Sequence, residues 1–475
     1  MLIGSILLYL ALTVGIGVYA SKRVRGSRDF LVAGRSLPLV TSFATVFAAW
    51  FGAQTVLSVS ATFTGEGLRG VPGDPFGASF ALFFFAIFFA TAFYRLDLLT
   101  IGDFYRRRYG KLVEVVTSLA ITVSYLGWIS AQLTALGLVL HVSSGGAWPL
   151  DWCILAGALV VMAYTMLGGM WAVALTNVLQ TVVIVVGLLL AAWLVGGMAG
   201  GPANVIAHAH AAGKLDLWPD GGLVEWLPFV AAWMTMALGS IPRQDMFQRV
   251  TSAVDEKTAV RGSLLGGAAY LAFAFVPMFI AYAAVVIDPR FLDLFGSGDS
   301  REVQRILPDL ILARTPFWAQ AMFFGALLSA ILSSASGALL APTALFTENV
   351  LRPFMPQISD RRFLALLRAV LGLFTAAALL FALNSRSTLY EMVQNAYEVT
   401  LVGALVPLAA GVFWKRATAQ GALLSIFMGL VVWGAAELNH PGALVPPQMA
   451  GLLAALVGMV AGSLLPQLVT ARRDS

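Results

Sequence analysis

The fold is decided by residues 227–249, "LPFVAAWMTMALGSIPRQDMFQR", where a long apolar run is interrupted by Gly239, Pro242 and Arg243. Inside a transmembrane helix a proline costs about 3 kcal/mol, and an arginine at the bilayer centre about 2.5–3.5 kcal/mol on insertion scales. A chain keeps both together only where a helix is to be broken and a buried charge is wanted. Composition decides whether the stretch lies in a membrane. The chain has 475 residues, of which 59% are hydrophobic and 11% charged, and its mean hydropathy is +0.85. Soluble domains carry about 25% charged residues, so this reads as an all-α integral membrane protein.

The same composition excludes several function classes. The excess of five positive charges is spread between apolar runs, which topology explains better than a nucleic-acid footprint, and no nucleic-acid partner is expected. A single cysteine, Cys153, lies inside an apolar run and excludes a disulfide framework. The histidines, His141, His208, His210 and His440, read as loop residues, and no Cys/His metal cluster is supported. No clustered His, Cys or paired carboxylates sit at one membrane depth, so the chain does not read as an enzyme. The first 20 residues have no basic stretch before them and read as a retained span, not a cleaved signal.

Thirteen apolar runs are long enough to cross a ~30 Å hydrocarbon core at ~1.5 Å per residue. They are numbered one to thirteen: 1–20, 38–63, 75–94, 113–140, 150–168, 172–199, 223–253, 262–287, 316–350, 363–384, 389–414, 418–437 and 446–469. An odd number places the termini on opposite sides. With the N-terminus outside, 22 of the 29 Lys and Arg residues fall on the other side and 7 on the same side. The positive-inside rule therefore puts the C-terminus in the cytoplasm of a multi-pass cell-membrane protein. The chain, 1–475, reads as a single transmembrane unit.

Three spans carry small or polar residues near the midplane: "TVFAAWFGAQTVLS" (45–58), "MALGSIPRQDMFQR" (236–249) and "LLSAILSSASGALL" (327–340). Close helix packing accounts for any one of these alone. The breaks in spans two and seven, however, lie five spans apart. They occupy corresponding positions in two five-helix halves of opposite orientation, 38–199 and 223–414, with 1–20 as an extra first span and 418–469 as two closing spans. Interrupted helices at matching places of an inverted repeat mark the binding site of a secondary transporter. Unwound backbone frees carbonyls for a cation, and a new half-helix N-terminus offers a positive dipole end to an anion.

Short motifs then carry a resemblance. "FLVAGRSLPL" (30–39), "TIGDFYRRRYG" (100–110), "FQRVTSA" (247–253) and "SAILSSASG" (329–337) occur in the order that resembles the sodium:solute symporter family, over nearly the whole chain. Within it, "AAWFGA" (48–53), "GWISAQLTALG" (127–137) and "GSIPRQDMFQRV" (239–250) are most similar to the high-affinity choline transporter branch. The resemblance implies thirteen helices with an inverted repeat of the leucine-transporter type, and sodium-coupled uptake of a small organic solute.

Carried over position by position, the resemblance implies one sodium ion held by the carbonyls of Ala48, Phe51 and Ala330 and the hydroxyls of Ser333 and Ser334. The chemistry agrees, since uncharged oxygens suit a hard monovalent cation, although a serine in a helix can instead bond back to the preceding turn. A second sodium is not expected. Family members with two resemble a pattern with an aspartate where this chain has Asn177, and a second serine pair where it has Ser336 and Gly337.

For the solute, the resemblance implies a pocket between spans two, four, seven and eleven, with Trp50, Gln54, Thr55, Trp128, Arg243 and Gln244 as matching positions. Trp50 and Trp128 lie mid-span and fit an aromatic box for a quaternary ammonium, whereas Trp148, Trp152, Trp218 and Trp226 sit near span ends as interfacial anchors. The choline branch has a further aromatic where this chain has Arg243. The expectation therefore moves from choline to a monocarboxylate or an amino-acid-like zwitterion, which a planar guanidinium fork binds through two hydrogen bonds. Glu398, about 13 Å deep in span eleven by helical rise, completes the set, with Arg243 as a candidate partner in the absence of solute. Choline uptake, a transporter-like sensor with a separate signalling partner, and a channel are the competing readings. The expected partners are the solute and the lipid bilayer; the oligomeric state is not specified.

Overall fold

The computed structural model describes residues 1–296, 303–385, 387–439 and 444–469. His440 and the basic residues of the C-terminal tail lie outside them. Among the described residues the only β pairing is an isolated bridge between Leu37 and Ala253; all long elements are helices.

Among the described residues ten helices are long and apolar enough to cross a membrane: Leu2–Ser21, Pro72–Leu96, Lys111–Ser143, Leu150–Met198, Glu256–Ile287, Phe317–Phe354, Asp360–Asn384, Leu389–Phe413, Ala419–Asn439 and Pro447–Leu464. Two further spans are bent pairs. Span two is Leu39–Trp50 followed by Gln54–Glu66 at 55°, and span seven is Leu223–Gly239 followed by Gln244–Thr251 at 43°. Leu150–Met198 has 49 residues, about 73 Å by helical rise, more than twice a ~30 Å hydrocarbon core. It cannot cross once. Gly169 interrupts it with φ 50° and ψ −137°, a left-handed conformation in which a Cβ would also strike Phe30. Spans five and six meet there; counted as two at this kink, the helix brings the ten long helices and two bent pairs to thirteen apolar segments among the described residues.

The layering follows burial. The window of span nine, Phe317–Phe354, is 94% buried, against 28% for spans one, twelve and thirteen, so span nine is the central post and the latter three face lipid. Exposed Leu8, Ile87, Trp193 and Phe427 sit on that outer surface, where hydrocarbon replaces water as the solvent. One expectation is corrected. His141 lies in the last turn of span four, and His208 and His210 lie in a short helix, Pro202–Ala211, whose alanines favour it. That helix docks on span eight, with His208 Nδ1 2.9 Å from the Tyr282 hydroxyl.

Candidate functional site

The site is built on the two breaks. In span two, Phe51 leaves helical geometry at φ −77° and ψ 77°, directly after Trp50. The next residue has to be small: a Cβ on Gly52 would lie 2.8 Å from Ser334 Oγ. Backbone groups freed by the break need partners. Gln132 of span four supplies them, accepting from the Ala53 N–H at 3.2 Å and donating to Gln54 Oε1 at 3.0 Å. Gln54 in turn donates to the Trp50 carbonyl at 3.3 Å, so it helps to close the break.

Span nine meets this break with its serines. Ser333 donates to the Ala48 carbonyl at 2.6 Å and lies 2.9 Å from the Ala330 carbonyl, while Ser334 donates to the Ala49 carbonyl at 2.9 Å. Hydroxyl and carbonyl oxygens of spans two and nine thus converge beside the unwound turn. Both serines are fully buried. The chemistry of the donor set fits a sodium ion: the two serine hydroxyls and the carbonyls they bond are uncharged oxygens, the ligands a hard monovalent cation takes. Ala49 is an oxygen that sequence reasoning did not single out.

In span seven the first half-helix ends at Gly239 and the second begins at Gln244, with Arg243 in extended geometry between them. Gly239 is required by a close approach, since a Cβ there would lie 2.5 Å from the Tyr397 carbonyl oxygen. Arg243 is 0% exposed. Its guanidinium carbon sits over three rings, Tyr125 at 3.9 Å, Trp128 at 4.5 Å and Tyr397 at 4.6 Å, and Trp50 stacks on Tyr397 with centroids 6.3 Å apart. The aromatic box is therefore present and already holds a cation, the protein's own. Arg243 Nε lies 3.2 Å from Asp245 Oδ1, and Nη1 and Nη2 have no hydrogen-bond partner among the described residues.

Of the seven solute candidates, the structure brings Trp50, Trp128 and Arg243 together and turns the others elsewhere. Gln244 accepts from the Ile101 N–H at 2.8 Å and so pins the segment before the short helix Ile101–Tyr109. Thr55 Oγ1 is hydrogen-bonded to Asp74 Oδ2 at 3.0 Å. Glu398 accepts from Trp433 Nε1 at 3.1 Å and, among the described residues, does not form the candidate pair with Arg243. The reason is helical geometry: Tyr397 faces the box, and one residue on, about 100° round the helix, faces span twelve.

The carboxylate that does meet Arg243 is Asp245, which the sequence reading passed over. It is buried, bonds the Tyr125 hydroxyl and also pairs with Arg249 at 3.2 Å. Arg249 is 2% exposed and donates to the Thr45 carbonyl at 3.0 Å and the Asp245 carbonyl at 2.7 Å. Its helix keeps its buried face inside the bundle. The available signal was two opposite charges, Arg243 and Asp245, two residues apart directly after the apolar run 227–239. Tyr125 and Tyr397 carried no such signal.

A family profile described as "Sodium:solute symporter family" matches residues 30–429. The chain is 24% identical over 448 residues to the high-affinity choline transporter 1 of Caenorhabditis elegans, covering 90% of this chain and 76% of that protein. It is likewise 24% identical over 456 residues to a sodium/glucose cotransporter of Vibrio parahaemolyticus, covering 88% and 82%. Among solved structures, a Na+-coupled sialic acid symporter in a substrate-bound, outward-open state superposes with a TM-score of 0.82 at 20% identity, covering 98% of each chain. The nucleobase-cation-symport-1 family transporter Mhp1 gives a TM-score of 0.59 at 16% identity over 91% of this chain. The fold is thus the inverted repeat of the leucine-transporter type, with its broken helices at spans two and seven.

Proposed function

Because this chain belongs to the sodium:solute symporter family, we propose that it drives the uptake of a small carboxylate-bearing solute, a monocarboxylate or an amino-acid-like zwitterion, with a sodium gradient. Membership makes it a multi-pass membrane transporter and not an enzyme.

One observation supports the carboxylate. Around the aromatic box and the Asp245 cluster, the buried side-chain nitrogens without partners among the described residues are Arg243 Nη1 and Nη2, Arg249 Nη2 and the indole nitrogens of Trp50 and Trp128, and all of them are donors. What is missing there is an acceptor. The charge count agrees, since two guanidinium groups share the single carboxylate of Asp245 in a buried cluster. One further negative charge would neutralise it, which in a membrane interior is worth more than at a wet surface. A quaternary ammonium, by contrast, would have to displace or share the rings with Arg243. The test is uptake into proteoliposomes of labelled monocarboxylates, amino acids and quaternary amines, with and without an inward sodium gradient. Sodium-stimulated accumulation of a carboxylate is expected; accumulation of choline with every carboxylate ignored overturns the reading.

The coupling ion is proposed to bind between Ala48, Phe51, Ala330, Ser333 and Ser334, with the Ala49 carbonyl beside them. We also propose that the N-terminus is outside and the C-terminus cytoplasmic, and that the repeats run over 38–199 and 223–414. With Arg243 and Arg249 set aside as buried, the bias of basic residues stays strongly one-sided. A reporter fused at the C-terminus should be active only in the cytoplasm.

A further inference from the structure

Away from the aromatic box, a second buried polar cluster joins spans two, three and eight. Asp74, Thr55 and Tyr270 are all 0% exposed. Three oxygen–oxygen contacts close a ring: Thr55 Oγ1 to Asp74 Oδ2 at 3.0 Å, Tyr270 Oη to Asp74 Oδ1 at 2.5 Å, and Thr55 Oγ1 to Tyr270 Oη at 2.8 Å. Each contact needs one proton between its oxygens. The threonine and tyrosine hydroxyls supply one each. An ionised carboxylate supplies none, so one of the three contacts would set lone pairs against each other in a site shielded from water. A protonated carboxyl supplies the third: Asp74 donates to Thr55, Thr55 to Tyr270, and Tyr270 back to the other carboxyl oxygen.

We infer that Asp74 is a proton-binding site inside the membrane, and that its proton tethers the second half of broken span two to spans three and eight. The other titratable groups facing it are tyrosines. Tyr270 is in the ring itself, and Tyr390 and Tyr397 come from span eleven; the Tyr390 hydroxyl lies where a Cβ on Gly73 would meet it at 2.7 Å. No Lys or Arg pairs with Asp74 among the described residues, so the third proton is the means of balancing the ring. Tyr390 also lines a cavity of about 440 Å³ together with Ser58, Glu66 and Glu391, which offers the proton a route to water. The step is a simple dissociation: the carboxyl O–H breaks, the proton passes to water in that cavity, and the carboxylate keeps the electron pair. Thr55 and Tyr270 then hold two protons for three contacts, and the half-helix bearing Thr55 is released. Neither the sodium ligands nor Arg243 takes part, so this inference stands apart from the identity of the solute.

Infrared difference spectra of the purified full chain, without solute, test it. Subtracting Asp74→Asn from wild type at neutral pH should reveal the carbonyl stretch of a protonated carboxyl, and Tyr270→Phe, which removes the donor to Oδ1, should move that band to higher frequency. If the difference instead shows the two stretches of an ionised carboxylate, the inference is overturned. The tether is read separately by labelling Ser58→Cys, on a Cys153→Ser background, with a charged maleimide across pH. Thiolate reactivity rises with pH in any background, so the measure is the rate ratio between the Asp74 protein and the Asp74→Asn variant. It should climb several-fold toward alkaline pH; a flat ratio refutes the tether.

Discussion

Arg243→Gln probes the solute reading most directly. The substitution removes Nη1 and Nη2, which have no protein partner, and the Nε contact to Asp245 at 3.2 Å. Asp245 keeps Arg249 at 3.2 Å and the Tyr125 hydroxyl, so no buried charge is orphaned and the fold should persist. A hydrogen bond to a charged group contributes about 1.5–3 kcal/mol, and truncating one partner of a buried charge pair costs about 2–5 kcal/mol. At ~1.4 kcal/mol per tenfold, the dissociation constant of the carboxylate should rise about 30-fold at the low end and more than about 1,000-fold at the high end. Arg243→Lys keeps the charge but loses the fork and much of the stacking on three rings, and should fall between the two. The assay is equilibrium binding of the labelled solute at saturating sodium, with sodium affinity and melting temperature measured on the same samples. If Arg243→Gln binds the carboxylate within roughly threefold of wild type, a loss of less than about 0.7 kcal/mol, the guanidinium does not recognise it.

Ser333→Ala combined with Ser334→Ala should raise the sodium concentration for half-maximal uptake by about tenfold or more, the equivalent of ~1.4 kcal/mol, while leaving the order of preferred solutes unchanged. Wild-type sodium dependence in the double variant removes the site assignment. The coupling ratio is expected to be one sodium per solute, because buried Asn177 offers a neutral amide where a carboxylate would offset the cost of desolvating a second cation; reversal potentials that fit two sodium ions per cycle contradict this. Arg243→Ala empties the ring of Tyr125, Trp128 and Tyr397, and the variant should gain binding of tetramethylammonium, seen by calorimetry, that the wild type lacks.

Length and hydropathy were enough to find the apolar segments that the structure forms as ten long helices and two bent pairs, because crossing a hydrocarbon layer is a one-dimensional requirement met residue by residue along the chain. The breaks were equally legible. Gly52, Gly239 and Pro242 act on the backbone where they stand, and the structure bends spans two and seven at those places, by 55° and 43°. Even the turn between spans five and six was visible as a gap in two apolar runs, and it falls at Gly169.

Which side chains meet was another matter. Arg243 was singled out with Glu398 as a candidate partner, yet it pairs with Asp245 and lies within three aromatic rings, while Glu398 turns to Trp433. Gln54, Thr55 and Gln244 were placed in the solute pocket by position and are spent on the break, on Asp74 and on Ile101. Asp74, Thr55 and Tyr270 form one ring from three spans, and nothing local in the sequence joins them. Crossing the membrane and breaking a helix depend on a residue and its immediate neighbours, so they can be read in order. The partner of a buried charge depends on the rotation of each helix about its axis, where one residue is about 100°, and on which helices pack together, and only the tertiary structure sets those.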